Sequence, residues 1–345
     1  YRARFFAKKV VMMSPHHAAL VVGDKGLSPR WPYRRAFSAA SLAPILVFSG
    51  LALATAKCEA ASFSVRETAA MRLPLNATTI AWHPDSTVLA AAGWSGMLSV
   101  WNAKKGKLIR DLGLPDRARA AEIQFSKDGK YLAIGKAGVD KYRAYLKILD
   151  AASLQAVDEF SPPIMKTWQM PSLASLSIDP VSSRRIALAS YVEGHDPVIY
   201  SIGDPAKNPV RAAPASRGSV QKVIFSPNGN TVAVGRFDGR IDFFEADSGE
   251  LKDSFAAFEK IWCIEAMAMS PDGTAVFAAS NTGGRHEWVD RNTRAWMARR
   301  NNEPIKMWDV GSLKLIRQFD TTNESIASLD VSADGRLLVA GDHAQ

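Results

Sequence analysis

The chain has 345 residues, 47% hydrophobic and 22% charged, with a formal charge of +9. That is ordinary globular composition, ample for a sizeable core. Residues 1–60 hold nine basic and two acidic side chains, so they carry +7 and leave +2 for the rest. A nearly balanced body lacks the basic footprint of a nucleic-acid binder, and no nucleic-acid partner is expected. Only Cys58 and Cys263 occur, which excludes a disulfide framework and a cysteine-based zinc site.

In chain order, residues 1–33 read as neither domain nor signal and are expected to be a disordered or spurious N-terminal extension. Residues 34–60 have the order of a secretory signal: Arg34-Arg35, an uncharged run from Ala36 to Ala56, and small residues Ala54 and Ala56 at the exit. Cleavage is expected after Ala56, with Ala60 as the fallback site. Arg34-Arg35-Ala36-Phe37 also resembles a twin-arginine signal. Periplasmic or secreted localisation follows, with a membrane anchor through residues 36–56 as the alternative if the segment is retained.

Residues 61–345 carry an internal repeat. A short alternating strand leads into a polar turn, and a small-apolar strand follows. The turns are His83-Pro84-Asp85-Ser86, Ser126-Lys127-Asp128-Gly129, Asp179-Pro180-Val181-Ser182, Ser226-Pro227-Asn228-Gly229, Ser270-Pro271-Asp272-Gly273 and Ser332-Ala333-Asp334-Gly335. Their second residues are spaced by 43, 53, 47, 44 and 62 positions. Proline presets φ, Asp or Asn tolerates a tight backbone, and glycine accepts positive φ, so each reads as a turn. The clearest unit runs from Lys222 to Phe255, where Asp238-Gly239 makes a hairpin and Asp247-Ser248-Gly249 turns into a last strand. Four strands in succession form a meander that must stack on neighbours to bury both faces.

Met307-Trp308-Asp309 ends a third strand in Trp-Asp, and Trp101-Asn102, Leu149-Asp150, Ile202-Gly203-Asp204 and Phe244-Glu245 are degenerate versions. On these residues the chain resembles the WD40-repeat family, as a degenerate, bacterial-type exported member, over about residues 70–345. The resemblance implies an all-β propeller of four-stranded blades, with Trp101, Asp150, Asp204, Asp238, Trp308 and Asp309 as structural signature residues. No Gly-His pair precedes any blade, so the family's Asp-His-Ser/Thr-Trp hydrogen-bond network is not expected. Another repeat family, such as the YVTN-type surface propellers, would leave the fold class unchanged.

About five complete blades and a partial sixth are legible, and Met71-Arg72-Leu73-Pro74-Leu75 resembles an orphan outer strand. The expectation is a C-terminally truncated propeller with seven blades when intact, monomeric once closed. No phosphate loop, nucleophile elbow or paired-histidine motif occurs, so no catalytic, cofactor or metal residue is assigned. His83 reads as a solvated turn residue.

Three connections are longer than a plain blade needs. Gly138–Tyr145 lengthens the second blade's hairpin, and Glu159–Pro171 bridges the second and third blades. The longest, between Ala279 and Trp308, brings Arg285, His286, Trp288, Arg291, Arg294, Trp296, Arg299 and Arg300. Arginine and tryptophan dominate binding hot spots, and long loops on a rigid scaffold tend to carry function. This is either a docking loop or a solvated loop whose tryptophans cover a neighbouring blade. The resemblance implies a scaffold for an unidentified protein or peptide partner, without catalysis or cofactor. The alternatives are a hydrolase- or lactonase-type propeller with a channel-centred site, or the sensor part of a multidomain protein.

Overall fold

The computed structural model describes residues 77–114, 119–137, 145–160, 173–190, 197–203, 210–212, 219–258, 263–280, 304–320 and 326–342, plus the backbone of Val10–Met13. Five four-stranded antiparallel sheets follow one another, each a meander with its strands in sequence order. Blade 1 is Ala77–Trp82, Val88–Gly93, Met97–Asn102 and Lys107–Gly113. Blade 2 is Arg119–Phe125, Tyr131–Ala137, Tyr145–Asp150 and Ala156–Phe160. Blade 3 comprises Leu173–Ile178, Arg185–Ser190, Val198–Ser201 and Val210–Arg211. Blade 4 comprises Val220–Phe225, Thr231–Arg236, Arg240–Glu245 and Leu251–Ala256. Blade 5 is Ile264–Met269, Ala275–Ser280, Ile305–Asp309 and Leu315–Phe319. Stacked meanders of this kind make a β-propeller.

A sixth sheet joins Ile326–Val331 and Leu338–Asp342 with Val10–Met13, which pairs antiparallel from Val10 opposite Gly341 to Met13 opposite Leu338. The Val-Val-Met-Met run lies in the stretch read from sequence as an extension outside the propeller. Here its backbone adds a third strand to an otherwise open edge. Met71–Leu75 lies outside the described residues.

The turn chemistry repeats as the sequence implies. In blade 4 the Gly229 N–H donates to Ser226 O at 2.9 Å, the Ser226 hydroxyl donates to Asn228 Oδ1 at 2.7 Å, and the Thr231 N–H donates back to Ser226 Oγ at 3.0 Å. Gly129, Gly229, Gly273 and Gly335 all have φ between 70° and 75°, the left-handed region. Blade 3 differs. Its left-handed residue is Ser183, whose N–H donates to Asp179 O at 3.0 Å, so the turn is one residue longer than the sequence suggested.

Side chains alternate between the two faces of each sheet, and the core lies between blades. Ala90, Ala92, Leu98 and Val100 of blade 1 pack against Ile123, Phe125, Leu132 and Ile134 of blade 2. The next interfaces repeat the plan, with Ala233, Ile241 and Phe243 of blade 4 meeting Ile264 and Met267 of blade 5. On the second strands of blades 2, 3 and 4 the forward-facing residues are small, among them Ala133, Ala187 and Ala233, and the backward-facing ones are larger, among them Leu132, Ile186 and Val232. At Gly135 an added Cβ would stand 2.0 Å from Leu173 Cδ2 of the following blade, so only glycine admits that approach. Second strands are buried on both faces and so read as near-continuous apolar runs. The outer fourth strands, such as Lys107–Gly113, are largely exposed.

Candidate interaction face

The two ends of the propeller are built differently. Every first strand runs toward an end that carries the tight turns, and every second strand returns from it. The third strands run toward that turn end as well, and the second-to-third-strand hairpins and the crossings between blades start and finish at the opposite end.

At the turn end each turn locks onto the next. His83 Nε2 lies 3.1 Å from Gly129 O, Pro227 Cδ packs 3.4 Å from the Cβ position of Gly273, and Pro271 Cδ packs 3.6 Å from that of Gly335. Arg185 joins blades 3 and 4. Its Nε donates to Asp179 Oδ2 at 2.9 Å, its Nη2 to Gly229 O at 2.7 Å, and its Nη1 pairs with Asp247. The guanidinium also lies over the Phe225 ring at 5.5 Å. Burial pushes the Asp179 carboxyl up, but donation from the Ser182 hydroxyl, the Val181 N–H and Arg185 outweighs it and holds the group below the usual carboxylate range.

The channel wall is formed by the first strands, whose inner edges leave alternate N–H groups unpaired by the sheet. Side chains of the preceding blade accept from them. Thr79 Oγ1 accepts from Ile123 N–H at 3.2 Å, Glu122 Oε2 from Leu176 N–H at 2.7 Å, and Gln124 Oε1 from Ile178 N–H at 2.9 Å. Ser175 and Ser177 accept from Val223 and Phe225 N–H at 3.4 and 3.0 Å. Glu122 also pairs with Lys222 Nζ, 3.2 Å away across blade 3. These residues serve blade-to-blade cohesion.

The two longest connections, residues 161–172 and 281–304, leave from the opposite end, whereas residues 202–209 of blade 3 join third to fourth strand at the turn end. The Gly138–Tyr145 hairpin lies between Tyr131–Ala137 and the strand that Tyr145 opens, and the Glu159–Pro171 bridge leaves from Ala156–Phe160 and returns at Leu173. The Arg/Trp-rich segment leaves blade 5 at Ser280 and rejoins it at Ile305, at this same end. Arg285, His286, Trp288, Arg291, Arg294, Trp296, Arg299 and Arg300 themselves lie outside the described residues.

Two aromatics that sequence reasoning passed over project here. Trp94 and Phe237 are 59% and 44% exposed, each the first residue of a second-to-third-strand hairpin. Their signal in the sequence is an aromatic directly before Ser-Gly or Asp-Gly. Phe237 stands on a braced hairpin. Arg236, only 1% exposed, pairs through Nε with the fully buried Asp242. Asp242 also accepts from the Ser254 hydroxyl of the outer strand, and Arg240 Nη2 donates to Ser254 Oγ at 2.6 Å. Asp238 Oδ1 accepts the Arg240 N–H at 3.1 Å within the hairpin. Lys136 occupies the register position of Arg236 in blade 2 and is likewise buried.

The repeat-signature residues divide their work. Trp101, Leu149, Phe244 and Trp308 are buried at one register position of the third strands, and Trp308 sits edge-on to Phe255 and Phe258. The residue after each turns the chain outward. Asp150 Oδ1 accepts the Ser153 N–H at 2.8 Å, and Asp309 Oδ1 accepts the Ser312 N–H at 2.7 Å and its hydroxyl at 2.6 Å. These bonds hold both carboxyls below the usual range. In blade 3 the register gives those positions to Tyr200 and Ser201, ahead of the Ile202-Gly203-Asp204 read from sequence, and Asp204 is outside the described residues. Among the described residues, no three His, Cys, Asp or Glu side chains are grouped to hold a metal ion.

Residues 75–102 match the family described as WD domain, G-beta repeat. WD repeat-containing protein 1 of Mus musculus is 24% identical over 261 residues, covering 74% of this chain and 39% of its own length. Actin-interacting protein 1 of Drosophila melanogaster is 24% identical over 239 residues, covering 69% of this chain and 34% of its own. Telomerase protein component 1 of Mus musculus is 21% identical over 252 residues, with 67% and 8% covered. The chain therefore spans well under half the length of these relatives.

Proposed function

From the premise that this chain is a WD40-repeat propeller, we propose that it is a protein- or peptide-binding scaffold whose partner engages the loop-bearing end. The observation that carries the reading is the segregation of connections. One end carries the short turns that pack on one another, and the two longest connections, residues 161–172 and 281–304, leave from the other, which also presents exposed Trp94 and Phe237. Rigid aromatics on hairpins, of which that of Phe237 is braced, bind with little entropy cost, since two torsions per ring suffice to order them. The Arg/Trp-rich segment of blade 5 springs from the same end, and Arg285, Trp288, Arg291 and Trp296 are assigned to the contact. No catalytic step or cofactor enters this reading.

Replacing Trp288 and Trp296 with alanine tests it. Lost capture of a defined partner with unchanged thermal stability supports a docking loop, whereas unchanged capture contradicts one. Lost folding instead assigns the tryptophans to packing. Export is proposed on the 34–60 leader alone, and cleavage after Ala56 would take Val10–Met13 off the edge of the sixth sheet. N-terminal sequencing of the mature protein checks it: a first residue at Lys57 agrees, and one before Ala36 contradicts cleavage.

A further inference from the structure

The outer edges of the blades differ in charge. Blade 1 reads Lys104-Lys105-Gly106-Lys107-Leu108-Ile109-Arg110, four cations with no acid, although residues 61–345 together carry only +2. The outer edges of blades 2 and 4 are acidic instead, with Asp158 and Glu159 in one and Glu250 and Asp253 in the other. Blade 5 repeats part of the pattern as Lys314-Leu315-Ile316-Arg317, but has Gly311-Ser312 where blade 1 has Lys104-Lys105.

Local structure presents the whole stretch to solvent. Asn102 Oδ1 accepts the Lys105 N–H at 2.9 Å and Gly106 takes a φ of 60°, so the chain turns tightly and leaves Lys104 and Lys105 exposed. The strand then bulges. Arg110 pairs with Val100 and Leu108 with Trp101, which leaves Ile109 as the extra residue. Leu108 and Ile109 are 43% and 54% exposed, and exposed Lys107 and Arg110 flank them. Among the described residues no carboxylate pairs with Lys104, Lys105, Lys107 or Arg110, and the Arg110 guanidinium reaches only Ser153 O, at 3.4 Å.

Cations alone would serve as edge protection, since lysines on an outer strand deter pairing with another chain. Two adjacent exposed aliphatics do not protect an edge, and they gain free energy only where an apolar medium takes them up. Nucleic acid would use the cations but offers nothing to Leu108 and Ile109, and the stretch has no aromatic ring on which a base could stack. An anionic bilayer uses both. Its headgroups meet the cations while the aliphatic pair enters the boundary between headgroups and acyl chains.

We propose that the outer edge of blade 1, residues 104–110, is a contact for the surface of an anionic bilayer. Contact through the rim leaves both ends of the propeller accessible, so the inference goes beyond the scaffold reading and does not depend on it.

Hydrogen–deuterium exchange of the full chain, on vesicles of equal parts phosphatidylglycerol and phosphatidylcholine, tests this at the residues concerned. Residues 104–112 should exchange several-fold more slowly on these vesicles, and as in solution with phosphatidylcholine alone. Strand Leu251–Ala256 is the acidic control and should not change. Replacing Lys104, Lys105 and Lys107 with glutamine removes three cations at about fivefold each, so the lipid concentration for half protection should rise roughly 100-fold. Leu108→Ser with Ile109→Ser, at unchanged charge, should raise it roughly tenfold. All five positions are exposed, and unaltered exchange of Val88–Gly93 reads that both variants stay folded. A chain that floats with the vesicles while residues 104–112 exchange as in solution is held by its basic leader, and overturns the proposal. So does protection that the Leu108 and Ile109 variant keeps in full, or that an oligonucleotide or polyglutamate reproduces without lipid, since charge alone then accounts for it.

Discussion

Arg185→Met isolates the clasp between blades 3 and 4. Methionine keeps an apolar stem near Phe225 but removes the guanidinium from Asp179, Gly229 O and Asp247. Asp247 is exposed, so its share is negligible. The bonds to buried Asp179 and to a backbone carbonyl are charge-assisted, a class worth about 1.5–3 kcal/mol each at full strength. Asp179 retains the Ser182 hydroxyl and the Val181 N–H, which limits the penalty of stranding its charge. The expected loss is about 2–3 kcal/mol. For a domain of this size, with about 2–4 °C lost per kcal/mol, the melting temperature should fall by roughly 5–10 °C. Urea titration of Arg185→Met, Asp179→Asn and the double variant should give a coupling above about 1 kcal/mol, while Asp247→Asn couples near zero. A loss below about 0.5 kcal/mol for Arg185→Met, or additive effects with Asp179→Asn, refutes the clasp.

Other expectations concern the core and the turns. Trp308→Ala should cost about 3–5 kcal/mol, read by urea unfolding, because it empties a site lined by Phe255 and Phe258. Gly135→Ala should destabilise by about 1–3 kcal/mol through overpacking against Leu173, whereas the same change at Gly113, with open space around it, should be near neutral. The turn carboxyls of Asp85, Asp150, Asp272, Asp309 and Asp334 are depressed by hydrogen bonds from nearby hydroxyls and N–H groups. A depressed folded pKa contributes stability that is present above the unfolded value near 4 and lost as pH falls through the folded one. Thermal melts should therefore weaken below pH 4 and keep falling toward 2, where Asp85 titrates at about 2. A melting temperature that stays flat from pH 5 to 2 would contradict this.

The repeat was legible because its turns are local. Ser, Asp or Asn and glycine at fixed offsets announce themselves without any knowledge of tertiary contacts, and five of the six turns have the length read from sequence. Blade 3 misled because Ser183 takes the left-handed position usually given to glycine, and because Tyr200 and Ser201 stand where Trp-Asp was sought. The side chains that accept across blades were not legible. Thr79 and Ile123 are 44 positions apart, and a threonine on a strand looks alike whether it meets solvent or a neighbour's N–H. Arg185 and the Arg236–Asp242 pair were missed for the same reason: nothing local marks an arginine as buried or bridging. Which end carries the two longest connections became visible only once strand direction was fixed by the pairing.

Cross-linking mass spectrometry on the partner complex, isolated from the native source, tests the binding face most directly. The account predicts that partner cross-links fall on the hairpins of Trp94 and Phe237 and on residues 281–303. Cross-links confined to the turn end around Asp179, Asp247 and Asp272, or to the outer fourth strands, would contradict it.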